Sequence, residues 1–142
     1  MRVLLMAALS TGLTALECLA AQGFETILAT HDNRGASDFV SLTDKADKLG
    51  VQVILYGSSG AQNLASYSYP PPPPRYPIAP NETYLCHIMY PFQPDVGICI
   101  GWSSLLSADL LAIPRHGWLG MHESLLPKRR GRAPIPWAII HD

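Results

Sequence analysis

Three short apolar runs separated by helix-length segments constrain the fold more than any other feature of the chain. Val3–Ala8, Phe24–Thr30 and Val51–Tyr56 are apolar and β-prone and read as three strands. Between the first two, Leu13, Leu16 and Ala20 fall on one helical face over Leu13–Gln22, and Gly23 stands where a helix C-cap glycine belongs. Between the second and third, Ser37 can cap a helix running to Leu49. Phe39, Leu42, Ala46 and Leu49 give that helix one apolar face, Lys45 and Lys48 suit its last turn, and Gly50 ends it. The pattern predicts β-α-β-α-β with short connections, hence parallel strands and right-handed crossovers.

Met1–Ala21 has a second reading. Arg2, the apolar stretch after it and the small residues around Cys18–Ala21 are similar to a signal peptide. Glu17 is out of place in an export signal and favours a strand, a Ser10-Thr11-Gly12 turn and a helix.

Ser58–Pro80 breaks the rhythm with Gly57-Ser58-Ser59-Gly60, then Pro70–Pro74, Pro77 and Pro80. Five consecutive prolines exclude helix and central strand. The segment is a surface loop or insertion, or a ligand for a proline-binding module. Asn81–Tyr90 then reads as a short helix stopped by Pro91. Asn81-Glu82-Thr83 also matches a glycosylation acceptor, but a capping Asn is the better account. Asp95–Trp102 reads as a central parallel strand, Ser107–Ile113 as a helix capped by Ser107, and Gly117–Met121 as a further apolar strand. Pro134 or Pro136 opens a last helix that is still running at Asp142. The expected fold is one α/β domain over residues 1–142. It is an open, doubly wound, mostly parallel sheet, incomplete at its C-terminus, with a proline-rich insertion at about 58–80.

A chain of 142 residues can bury roughly 68% of its unfolded surface without staples. The net charge of −1 excludes a globally basic nucleic-acid binder, and no DNA partner is expected. Cys18, Cys86 and Cys99 are odd in number and lack CxxC spacing, which speaks against a disulfide framework or zinc site and for a reducing, cytoplasmic setting. No His, Cys or acidic residues have metal-ligand spacing, so no metal is expected. No apolar run reaches the ~18 residues of a membrane span.

In doubly wound sheets ligands sit beyond the carboxyl ends of the strands, and His122 falls at such an end. It opens the richest stretch of the chain, Gly120–Trp137, with Glu123 and four of the ten basic residues: Lys128, Arg129, Arg130 and Arg132. Two readings stay open there, an ordered functional loop and a solvated charged one. Ser10-Thr11-Gly12 at the first helix could receive an anion, but GxGxxG and Walker-A glycines are absent. His87, His116 and His141 read as surface or packing residues, and Cys99 as core.

After His122 come Ser124-Leu125-Leu126-Pro127 and Arg130-Gly131-Arg132-Ala133-Pro134. Pro94-Asp95-Val96, Gly101-Trp102 and Ile113-Pro114 precede it. In these motifs residues 95–141 resemble the N-terminal domain of the folate-dependent formyltransferases, and the early β-α-β-α-β pattern extends the resemblance to nearly all but the proline-rich stretch. The resemblance implies a Rossmann-like formyltransferase fold and N-formyl transfer from 10-formyltetrahydrofolate to an amine. It implies His122 as the catalytic base. It also sets Gly120 where the family has an Asn that helps hold the formyl oxygen. The family's Asp lies a few dozen residues past the His, beyond Asp142, so the chain is either truncated or a degenerate member, and its abrupt end favours truncation. Trp102, Ser103, Ser104 and Leu105 would border the folate. Ser10, Thr11, Gly12, His31, Asn33, Ser124 and Arg132 would face the acceptor.

Thr30-His31-Asp32-Asn33 and Lys128-Arg129-Arg130-Gly131-Arg132-Ala133-Pro134 look similar to the amino-sugar branch, such as UDP-4-amino-4-deoxy-L-arabinose formyltransferase. The expected acceptor is therefore a small-molecule amine on a nucleotide sugar. The alternatives are hydrolysis of 10-formyltetrahydrofolate, a methionyl-tRNA acceptor, or a non-catalytic remnant. A last helix cut short would leave apolar surface uncovered, which implies self-association.

Overall fold

The computed structural model describes residues 1–31, 41–56, 78–79, 81–102, 104–131 and 133–141. Among the described residues six strands form one sheet: β1 (Arg2–Ala7), β2 (Glu25–Thr30), β3 (Gln52–Tyr56), β4 (Ile78–Ala79), β5 (Val96–Ile100) and β6 (Trp118–Gly120). Their order is β4-β3-β2-β1-β5-β6, and every neighbouring pair is parallel. The chain winds outward from β1 through β2 to β4, then restarts on the other side with β5 and β6. This is the expected doubly wound α/β sheet.

Burial on both faces explains the unbroken apolar run of β1. Val3, Leu5 and Ala7 join Leu16, Leu19, Leu42 and Ala46 in one core layer. Leu4 and Met6 point the other way, into a layer with Leu85, Met89 and Leu110. At the amino edge, Arg2 N donates to the Asp95 carboxylate at 2.7 Å and Asp95 N donates to Arg2 O at 2.8 Å, clipping β1 to β5. The Arg2 amide, more than any other group, holds the Asp95 carboxyl below its ordinary range.

Five helices are described: α1 (Leu9–Ala21), α2 (Leu42–Leu49), α3 (Glu82–Phe92), α4 (Ala108–Leu111) and α5 (Pro134–His141). The first departs from expectation. It starts at Leu9, so Ser10-Thr11-Gly12 is the first turn of the helix and not a turn before it. Gly12 is a packing glycine. A Cβ there would lie 2.9 Å from Ala7 Cβ and 3.2 Å from Leu42 Cδ2. The buried face is accordingly Gly12, Leu16 and Leu19, rather than Leu13, Leu16 and Ala20.

Helix α2 is capped by Ser41, whose Oγ accepts from Asp44 N at 3.3 Å, and not by Ser37. Ser37 and Phe39 lie outside the described residues. Gly50 closes the helix in the left-handed region at φ 68°, as its position implied. Asn81 caps α3 through its side chain, which accepts from Tyr84 N at 2.9 Å. Pro91 does not stop this helix. It sits in the last turn, and Phe92 extends the helix beyond it. Ser107 caps α4, which ends at Leu111 and not at Ile113.

Strand β4 falls inside the proline-rich segment, where no strand was expected. It is two residues long, at the sheet edge, between Pro77 and Pro80. Pro70–Pro74 lies outside the described residues. The Gly117–Met121 strand is present as β6, but as an edge strand with β5 as its neighbour. Helix α5 opens at Pro134 and buries none of its residues.

Candidate active site

All strands run parallel, so their carboxyl ends share one edge. Ala8 follows β1, His31 follows β2, Tyr56 ends β3, Gly101-Trp102 follows β5, and His122 lies two residues past β6. The switch point falls between β1 and β5, where open α/β sheets hold ligands.

Gly101 shapes this edge. Its φ is +64°, and a Cβ there would lie 2.4 Å from Ala8 O and 3.0 Å from Thr11 Oγ1. Only glycine lets β5 leave the sheet so close to the β1–α1 junction. Trp102 then reaches over the end of β1 and stacks on His31, with ring centroids 4.0 Å apart and planes 16° from parallel. Tyr56 tilts against both rings, at 5.2 Å from His31 and 5.4 Å from Trp102. His31 Nδ1–H donates to Tyr56 O at 2.7 Å, which leaves the lone pair of the neutral ring on Nε2. Burial holds His31 below its ordinary pKa, against the opposing hydrogen bond to Tyr56. Tyr56 is pushed up, first by burial and then by Glu82 and Cys86.

His122 is half-buried at the start of a loop that bonds to itself. Its Nε2–H donates to Arg129 O at 3.3 Å. Ser124 N donates to His122 O at 2.9 Å, and Ser124 Oγ donates to Lys128 O at 3.1 Å. Leu126 N reaches Ser124 O and Lys128 N reaches Leu125 O, each at 3.0 Å. Arg129 and Ala133 take left-handed backbone at φ 56° and 53°. At Gly120 a Cβ would meet only Cys99 O, at 3.8 Å, so a side chain has room there.

The structure thus sets His31, Trp102 and His122 on one edge. Ser10 and Thr11 are exposed in the first turn of α1, while Gly12 is buried against Ala7 and Leu42. Ser124 spends its hydroxyl within its own loop. Ser104 and Leu105 are exposed on the segment leading to α4. Asn33, Ser103 and Arg132 lie outside the described residues. Sequence reasoning missed Tyr56 and Gly101. A glycine directly after a buried apolar strand is the signal that could have found the second, since it marks a close backbone approach.

An open cleft of about 640 Å³ lies away from His122, between α3 and α4, lined in part by Glu82, Cys86, His87, Tyr90 and Asp109. The Glu82 carboxylate accepts from Ser107 N at 3.0 Å and so ties α3 to the start of α4. Cys99 is half-buried, and burial raises its thiol to about 11. Among the described residues no group of three His, Cys, Asp or Glu could hold a metal ion, and no helix is long and apolar enough to cross a membrane.

Residues 21–141 match the family described as formyl transferase. Methionyl-tRNA formyltransferase of Cutibacterium acnes is 54% identical over 46 residues, which cover 32% of this chain and 15% of that protein. The enzyme of the same name from Agathobacter rectalis is 40% identical over 65 residues, or 46% of this chain and 21% of the relative. That of Myxococcus xanthus is 48% identical over 50 residues, or 35% and 16%. The chain therefore matches no more than 21% of the length of these three relatives.

Proposed function

The chain belongs to the formyl transferase family, and from that premise we propose that its protein moves a formyl group from 10-formyltetrahydrofolate to an amine, with His122 as general base. Acyl transfer to an amine needs the amine uncharged and a group to take its proton as the new bond forms. The observation that carries the proposal is the placement of His122. It sits at the carboxyl end of β6, half-buried, with Nε2–H committed to Arg129 O. In that tautomer Nδ1 keeps the lone pair that accepts the proton.

The tetrahedral intermediate carries charge on oxygen, and a donor must meet it. By resemblance an Asn stands at the Gly120 position. Glycine leaves that task to a backbone N–H or water, and losing one such donor elsewhere costs about 10²–10³ in rate.

For the acceptor, the relatives' names support methionyl-tRNA. The exposed Lys128, Arg129 and Arg130 beside His122 suit contact with its phosphates. The nucleotide-linked amino sugar suggested by Thr30–Asn33 has less support, because the His31 ring is turned into the Trp102 stack.

The test offers the full-length protein 10-formyltetrahydrofolate with methionyl-tRNA, with a UDP-linked 4-amino sugar, or with no acceptor. Formylmethionyl-tRNA above background is the expected result. Formylated sugar instead would restore the amino-sugar reading. Formate release at an equal rate with and without acceptor would make the protein a hydrolase.

A further inference from the structure

The stack of His31 on Trp102 draws on three strands that the chain makes far apart. His31 follows β2, Trp102 follows β5, and β1 lies between them. Neighbouring strands are about 4.8 Å apart, so the two rings meet over the end of β1. Trp102 and Tyr56 pack against the core layer that holds Met6, Ala29 and Ile54. The arrangement needs Gly101, because any Cβ there would collide with Ala8 O. It also needs the hydrogen bond from Nδ1 to Tyr56 O, which fixes the plane of the imidazole before the indole packs on it. Trp102 and Ser107 are thus each held by one contact, the aromatic stack for Trp102 and the Glu82 carboxylate on Ser107 N. Between them Leu105 is 96% exposed.

We propose that His31 is a positioning residue: tethered to Tyr56 O, its ring sets the place of the Trp102 indole, and so governs affinity for the folate donor rather than the rate of transfer. This rests on the functional reading above and on the resemblance, which implies that Trp102 borders the folate. It gives His31 a task different from the acceptor contact that the resemblance implies. Burial, which keeps the ring uncharged, agrees with it, since a neutral imidazole stacks on indole without attracting water to the contact.

Two variants separate the parts. His31→Phe keeps a flat ring and loses the tether, whereas His31→Asn keeps a donor near the Nδ1 position and loses the stack. The full-length protein is titrated with 5-formyltetrahydrofolate, a stable reduced folate, and its tryptophan emission is recorded with and without Trp102→Phe. Both His31 variants are expected to shift the emission, and the shift should vanish in the Trp102→Phe background. His31→Asn should weaken folate binding about five- to tenfold and raise the donor KM alike, with kcat within about twofold. His31→Phe, which keeps a ring against the indole but loses the tether, should fall between wild type and His31→Asn in affinity. Unchanged folate affinity and emission in His31→Asn would overturn the inference and leave the functional reading standing. A fall in kcat with KM unchanged would also overturn it. A wild-type protein that binds no reduced folate would overturn the functional reading and this inference with it.

Discussion

β1 and β6 are strands of one parallel sheet, yet Val3–Ala7 of β1 are 0% exposed whereas Leu119 of β6 is 64% exposed. The contrast extends to the helices. On the β1–β2–β3 side, α1 and α2 bury Gly12, Leu16, Leu19, Leu42 and Ala46 against the sheet. Beyond β6, α5 leaves Trp137 at 51%, Ile139 at 77% and Ile140 at 66% exposure. One side is fixed by burial. On the other, backbone hydrogen bonds within the 122–130 loop place His122. Folding strength and the proposed chemistry therefore sit in different places. A substitution should move one with little effect on the other.

The largest expected effect is in the closed half. Leu5→Ala removes a fully buried side chain and should destabilise by about 2–5 kcal/mol in urea titration, whereas Leu119→Ala should stay within about 0.5 kcal/mol. Equal losses in the two variants would erase the contrast.

Gly97 joins the halves. A Cβ there would lie 2.3 Å from Trp118 Cδ2, and Trp118 is held by its Nε1 donation to Leu110 O at 3.2 Å. Gly97→Val must push the indole out and break that bond. A loss of about 3 kcal/mol is expected, with a red-shifted tryptophan emission. A variant as stable as wild type would show that β6 is not locked through Trp118.

Gly120→Asn tests the open half from the other direction. The site has room for a side chain, so unfolding midpoints should move little. If the missing oxyanion donor limits the rate, transfer should rise by up to about 10²-fold. Removing the α3 cap with Asn81→Ala should cost about 1 kcal/mol, and Asn81→Ser should restore most of it.

The smallest expected effect is the acid response of the aromatic stack. His31 has a folded pKa below its ordinary 6.5, so above that value it contributes no pH dependence. As pH falls through 6.5 the unfolded chain takes the proton first, and stability drops until the folded pKa is passed. His31→Phe should flatten this part of the stability–pH curve. Asp95 also has a lowered pKa, but its contribution is present above its ordinary 3.8 and is lost only as pH falls below it. An unaltered curve between pH 6.5 and 3.8 in His31→Phe would mean that the ring is not held neutral by the fold.

The doubly wound order was legible because period, caps and apolar runs are local signals. Gly50 and Asn81 did what their positions implied. Gly12 was read as a turn because a packing glycine and a turn glycine look alike in one dimension. Only the approach of Ala7 and Leu42 tells them apart. Ser37 was read as the cap because it precedes the apolar face, whereas the helix begins later, at Leu42, with Ser41 as its cap. At the candidate site, His122 was legible from its place after a strand. The His31–Tyr56–Trp102 cluster was not, since its members come from three strands whose adjacency is a property of the sheet.

The most direct test of the account is formyl transfer by full-length His122→Ala, measured beside its urea midpoint. The account predicts an unfolding midpoint close to wild type, because His122 lies in the open half, and a fall in transfer of about 10²–10⁴-fold. Transfer near the wild-type rate in a folded variant would contradict it.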